Sequence, residues 1–110
     1  MIIELKGNPI STNSMFSGRR FLTPAAKSLK EDFGWQVKSQ WRQKPMKGRL
    51  KMSVGVYFGS KRARDLDNLK MVYDALTGIV YEDDSQIDEL YIFRYYDKEN
   101  PRIILDIQEI

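Results

Sequence analysis

Neither cysteine nor histidine occurs in the 110 residues, and the two absences remove whole classes of chemistry. Without cysteine there is no disulfide framework, no thiolate nucleophile and no Cys/His zinc site. Without histidine, a Ser-His-Asp relay and an imidazole acid–base pair are impossible. Catalysis by such a chain has to run on carboxylates, lysine, arginine, hydroxyls or a bound hard cation. Long apolar runs are missing too. Nothing approaches the ~20 residues of a membrane span, and the opening MIIELKGNP lacks the basic-then-apolar pattern of a secretion signal. A soluble, cytoplasmic protein with no membrane partner is the expectation. Repeats, low-complexity tracts and linkers are also absent, so residues 1–110 read as one domain. A chain of this length buries roughly 65% of its unfolded surface, enough for one sheet with helices against it.

What is present is charge, unevenly spread. The net charge of +3 hides a division at Asp65: residues 1–64 hold 14 Lys and Arg against 3 Asp and Glu, and residues 65–110 hold 4 against 12. A basic first part suggests a polyanion as partner, and an acidic second part suggests cations or basic partners. Mutual neutralisation within the fold is the plainer alternative.

Ile2 to Leu5 reads as a short strand closed by Gly7, Asn8 and Pro9, and residues 8–20 read as a long polar loop. Thr23 followed by Pro24 is a hydroxyl cap with proline at the first helical position. Ala26, Leu29, Phe33, Val37 and Trp41 then recur at helical steps, with Trp35 off that stripe. Leu50, Met52, Val54, Val56 and Phe58 alternate with polar or small residues, which predicts a strand. Leu69, Val72, Tyr73 and Leu76 predict a second helix from about Leu66 to Thr77, stopped by Gly78. After an acidic turn, Tyr81 to Gln86, two strands are expected at Ile87–Tyr96 and Arg102–Ile110, joined by a hairpin-like break at residues 97–101. The expected fold is α/β (α+β): a β-α-β-α-β-β order, with a mixed sheet and both helices packed on it, on one face.

The chemistry concentrates between Arg64 and Gln86. Asp65 and Asp67, two residues apart, point the same way on an extended backbone and could reach one cation. Asp83 and Asp84 return after the helix, and such a return can bring Asp84 alongside. Two or three carboxylates suffice for Mg²⁺, which keeps several waters. Lys61, Arg62 and Arg64 lead into the first aspartate, and Arg19 and Arg20 sit near Phe16 and Phe21, as a groove for phosphates and bases would require. The pattern suits a magnesium-dependent enzyme acting on a phosphate backbone. Lys70, on the polar side of the helix, could neutralise charge building on a phosphate. Each feature has an ordinary counterpart: aspartate as a helix cap, Asp83-Asp84 as a solvated turn, Lys70 as a helical partner of Asp67 or Asp74, the basic residues as solvated surface. A calcium loop fails on spacing, because counting from Asp65 puts Leu69, Lys70 and Leu76 where oxygen ligands and glycine are needed.

At Arg64-Asp65-Leu66-Asp67-Asn68-Leu69, Asp74-Ala75-Leu76-Thr77 and Asp83-Asp84-Ser85-Gln86 the chain resembles the RusA-like Holliday-junction resolvases. A weaker likeness at Pro9, Ser11 and Asn13 extends it over most of the chain. The resemblance implies a crossover-junction endodeoxyribonuclease, dependent on Mg²⁺ with Mn²⁺ substituting. It further implies a homodimer that binds four-way DNA junctions and nicks two strands symmetrically. By motif position, Asp65, Asp67 and Asp84 would be the metal-binding catalytic carboxylates, Lys70 the catalytic lysine and Arg64 a DNA contact. Lys70 follows one residue sooner after the first motif than the family's lysine does, and Pro9 is followed by Ile10 where the family has a second proline. A non-catalytic DNA-binding module of the same fold is the alternative.

Overall fold

The computed structural model describes residues 2–7, 16–17, 21–22, 24–59 and 69–110. Its elements in chain order are β1 (Ile2–Lys6), β2 (Phe16–Ser17), β3 (Phe21–Leu22), α1 (Pro24–Gln40), β4 (Leu50–Phe58), α2 (Lys70–Leu76), a 3₁₀ turn (Asp84–Gln86), β5 (Ile87–Tyr96) and β6 (Arg102–Glu109). The expected strands and helices are all present. The short antiparallel β2–β3 pair is an addition, inside what the sequence presents as loop.

Among the described residues the main sheet runs β1-β6-β4-β5, with β4 parallel to β5 and the other pairs antiparallel. The hairpin expected between the last two strands does not form. β5 lies on one side of β4 and β6 on the other, so residues 97–101 cross over the end of the central strand. A crossing of two strand spacings is about 10 Å, within reach of five residues. Asp97 shapes it: its carboxylate accepts the Glu99 and Asn100 N–H groups at 3.2 and 3.3 Å and holds Arg102 at 2.7 Å. Strand partners are chosen by edges available after collapse, and local turn residues do not reveal that choice.

The alternation of β4 fixes which face is covered. Met52, Val54, Val56 and Phe58 share a face with Ile3, Leu5, Ile103, Leu105 and Ile107, all buried. Phe33 and Val37 from α1 with Trp41 just after it, and Met71, Val72 and Leu76 from α2 with its cap Leu69, complete that core, so both helices lie on one side of the sheet. Trp35, off the apolar stripe, is exposed as expected. α1 also covers the outer edge of β1. Gln40 bonds the Glu4 N–H and C=O at 2.9 and 2.6 Å, and Gln36 does the same for Lys6 at 2.7 and 3.1 Å. Two side-chain amides thus take the place of a neighbouring strand and blunt an otherwise open edge.

α2 starts later than its periodicity suggests. Leu69 is its cap, with φ −111° and ψ 26°, so Lys70 is the first helical residue and residues 66–68 lie outside the described part. The helix stops where glycine predicts: Gly78 adopts φ 83°, and its N–H bonds the Tyr81 carbonyl at 2.7 Å.

Candidate active site

The acidic turn after α2 is held from two sides. Gln86, 8% exposed, is the one buried polar side chain among the described residues. Its Oε1 accepts the Glu82 and Asp83 N–H groups, both at 2.9 Å. Its Nε2 donates to the Met46 and Gly48 carbonyls at 2.9 and 3.0 Å. Every hydrogen-bonding position on that amide is used, as burial demands. Beside it, Arg49 donates to the Ser85 carbonyl at 2.8 Å and forks onto the Asp88 carboxylate. Asp88 is the extra residue of a bulge, because Leu50 pairs with Ile87 while Lys51 pairs with Glu89. Residues 46–49, just before β4, are therefore the shelf on which the turn rests.

The two neighbouring aspartates have different duties. Asp83 caps the 3₁₀ turn, its carboxylate accepting the Ser85 N–H at 3.3 Å and the Ser85 hydroxyl. That hydroxyl, followed by the turn's backbone N–H groups, holds the Asp83 carboxyl below the usual carboxylate range. Asp84 is exposed, and its carboxylate has no hydrogen-bond or ion-pair partner among the described residues. Of the pair, Asp84 is the one whose carboxylate the turn does not use among the described residues.

Tyr81 links this turn to α2. Its ring is fully buried, and its hydroxyl lies 3.5 Å from the Tyr73 carbonyl. Burial raises its pKa well above the ordinary phenol value, and the charges of Asp84 and Asp74 push the same way against a hydrogen bond from Thr77. Asp74 and Asp84 thus both bear electrostatically on one phenol. Lys70 is exposed in the first turn of α2, and Asp84 follows beyond its last. No bond joins Lys70 to Asp84 or to Asp74 among the described residues. Seven helical residues span about 10 Å. Asp65, Asp67, Lys61, Arg62, Arg64, Arg19 and Arg20 lie outside the described residues, as does Thr23.

Sequence alone marks Gln86 only as a member of the Asp83-Asp84-Ser85-Gln86 motif and does not mark Arg49, although the two fasten the turn that carries Asp84. One signal was legible: Asp83 followed three residues later by Gln86 is the spacing of a capping box. Arg49 and the shelf carbonyls had none, since their contacts span 36 to 40 residues. On α1, Trp35 is 71% exposed with the Lys38 ammonium 5.3 Å from its ring centre. Lys27, Lys30 and Gly34 line the same shallow cleft, with Glu31 its single carboxylate. Among the described residues no helix is long and apolar enough to cross a membrane.

A search of curated proteins finds no match. The family model for endodeoxyribonuclease RusA matches residues 5–108. That span runs from within β1 to within β6 and includes both clusters of aspartates. The chain belongs to the RusA endodeoxyribonuclease family.

Proposed function

We propose that this chain is a metal-dependent, structure-selective DNA endonuclease that resolves Holliday junctions by paired symmetric nicks. Membership of the family supports the reaction class. The observation that carries it to a site is the division of labour at the acidic turn: Asp83 is consumed by the cap, while Asp84 presents a carboxylate without a partner among the described residues, on a turn fastened by Gln86. Asp65, Asp67 and Asp84 would hold Mg²⁺, with Mn²⁺ substituting; exposed carboxylate oxygens are the donor type these hard cations take. When bound, such an ion polarises a phosphoryl oxygen and lowers the pKa of a water, chemistry that a chain without histidine cannot draw from imidazole.

The chain's own residues supply binding and orientation. Lys61, Arg62, Arg64, Arg19 and Arg20 would hold the phosphate backbone, and Lys27, Lys30 and Lys38 around Trp35 would offer a cationic surface of their own on α1. Lys70, exposed at the start of α2, would face charge developing on the phosphate. Symmetric nicking needs two equivalent sites, hence a homodimer on a four-way junction.

Synthetic four-way junctions incubated with and without Mg²⁺ test the reading. Paired nicks that require the metal and vanish in Asp67→Asn, with junction binding retained, are expected. A chain that binds junctions but never cuts them would be the non-catalytic module instead.

A further inference from the structure

The side chains of α1 divide among three tasks. Phe33 and Val37 enter the core, and Gln36 and Gln40 hold the edge of β1. On the remaining side Lys27, Lys30, Glu31, Gly34, Trp35 and Lys38 line a cleft of about 410 Å³, inside the ~300–1,000 Å³ of ligand pockets. Trp35, at 71%, is the most exposed of the large apolar side chains among the described residues. The Lys38 ammonium lies over its indole. Gly34 has nothing within 4 Å of its Cβ position, so the space beside the indole stays open. From Lys27 to Lys38 the helix advances about 16 Å, enough to follow a short run of sugar-phosphate backbone.

We propose that this cleft is a contact for single-stranded DNA, with a base stacked on the Trp35 indole and Lys27, Lys30 and Lys38 on the flanking phosphates. Charge points to a polyanion: three lysines stand against Glu31 alone, a balance of +2. The exposed indole narrows the class. A flat aromatic face among ammonium groups is the combination that holds unpaired nucleotides, because every base offers a π-face and every link a phosphate. In a duplex those faces are stacked on each other, and reaching one requires unstacking a base step. An acidic peptide would use the lysines and leave the indole without a flat partner. This inference deepens the DNA-cleaving reading above and rests on it for the choice of DNA as the polyanion.

Fluorescence titration of the full chain with an oligothymidine of about 12 nucleotides, without Mg²⁺, tests it. A base stacked on Trp35 quenches its emission, while Trp41, buried in the core, supplies the emission that remains. Quenching is expected with the single strand and little with a duplex of the same length. Trp35→Ala should weaken binding about 5- to 150-fold, the loss of one stacked base, and Trp35→Phe, which keeps a ring, should retain most of the affinity. Circular dichroism confirms folding, and if Trp35→Ala fails to fold, Trp35→Gln decides in the same way. Lys27→Gln, Lys30→Gln and Lys38→Gln combined should make the log–log salt dependence shallower by about 2, three phosphates at ~0.7 each. Unchanged affinity in a folded Trp35→Ala, or polyglutamate bound as tightly as the oligonucleotide, overturns the proposal. A wild type that nicks junctions and ignores single strands removes this cleft's role and leaves the nuclease reading intact. Single strands that quench Trp35 in a chain that never nicks leave the cleft and remove the nuclease.

Discussion

Asp83 and Gln86 cap each other across one tight turn: the carboxylate takes the turn's N–H from inside, and the amide oxygen takes the Asp83 N–H from outside, 2.9 Å away. Because the same amide also reaches the Met46 and Gly48 carbonyls, one side chain joins the cap to the edge of the sheet. Gln86→Ala strips partners from two donors and two acceptors. Unsatisfied buried groups cost about 1–3 kcal/mol each when water cannot reach them. With water reaching some of these, a loss of roughly 2–4 kcal/mol is expected in urea unfolding. Gln86→Glu should also destabilise, since it keeps an acceptor but turns a carboxylate towards two carbonyls.

The adjacent aspartates should separate cleanly. Asp84→Asn is expected to abolish metal-dependent nicking and leave the melting temperature unchanged, because its carboxylate has no partner among the described residues. Asp83→Ala should do the reverse, lowering the melting temperature through loss of the cap while nicking persists. Thermal melts and junction assays on both variants check this. Equal losses of activity would show that the two carboxylates share one duty.

Two glycines predict opposite outcomes. Gly78 sits at φ 83°, where a Cβ meets the backbone of its own residue although nothing else lies within 4 Å. Gly78→Ala should cost about 1–2 kcal/mol, and Gly78→Asn less. Gly34 is in the middle of α1 with open space at the Cβ position. Gly34→Ala should stabilise by up to ~1 kcal/mol. Denaturant midpoints measured side by side decide both.

Stability should fall at both ends of the pH scale, for different residues. Asp83, Asp88 and Asp97 are held below the usual range by Ser85, Arg49 and Arg102 respectively. Their contributions are present above the ordinary carboxylate pKa of about 4 and are lost as pH falls through the lowered values. Tyr81 is raised, chiefly by burial. Its contribution is complete below the ordinary phenol pKa of about 10 and is lost as pH climbs from there through the raised value. Tyr81→Phe should flatten the alkaline limb of a stability–pH curve and leave the acid limb in place.

The legible and illegible parts of this molecule divide by range. Leu50 to Phe58 announced a strand because the pleat turns alternate residues to one side, and one side is buried. Phe33, Val37 and Trp41 announced their helix for the equivalent reason, at a period of 3.6. The helix start at Lys70 is not legible because Leu69 continues the apolar stripe while being buried as the cap and not as part of the helix. The expected hairpin and the observed crossing share one local signal, because the turn chemistry of residues 97–101 serves equally well to cross over a strand.

By itself, then, the sequence determined the elements, the buried face of each, the glycine stop after Leu76 and the family motifs, because these depend on the spacing of neighbouring residues. Only the tertiary structure decided that β4 separates β5 from β6, that Asp83 caps while Asp84 has no partner among the described residues, and that Tyr57, Phe93 and Tyr95 gather on the sheet face away from both helices. Those outcomes depend on which distant edges and carbonyls meet after collapse, and local spacing carries no record of that.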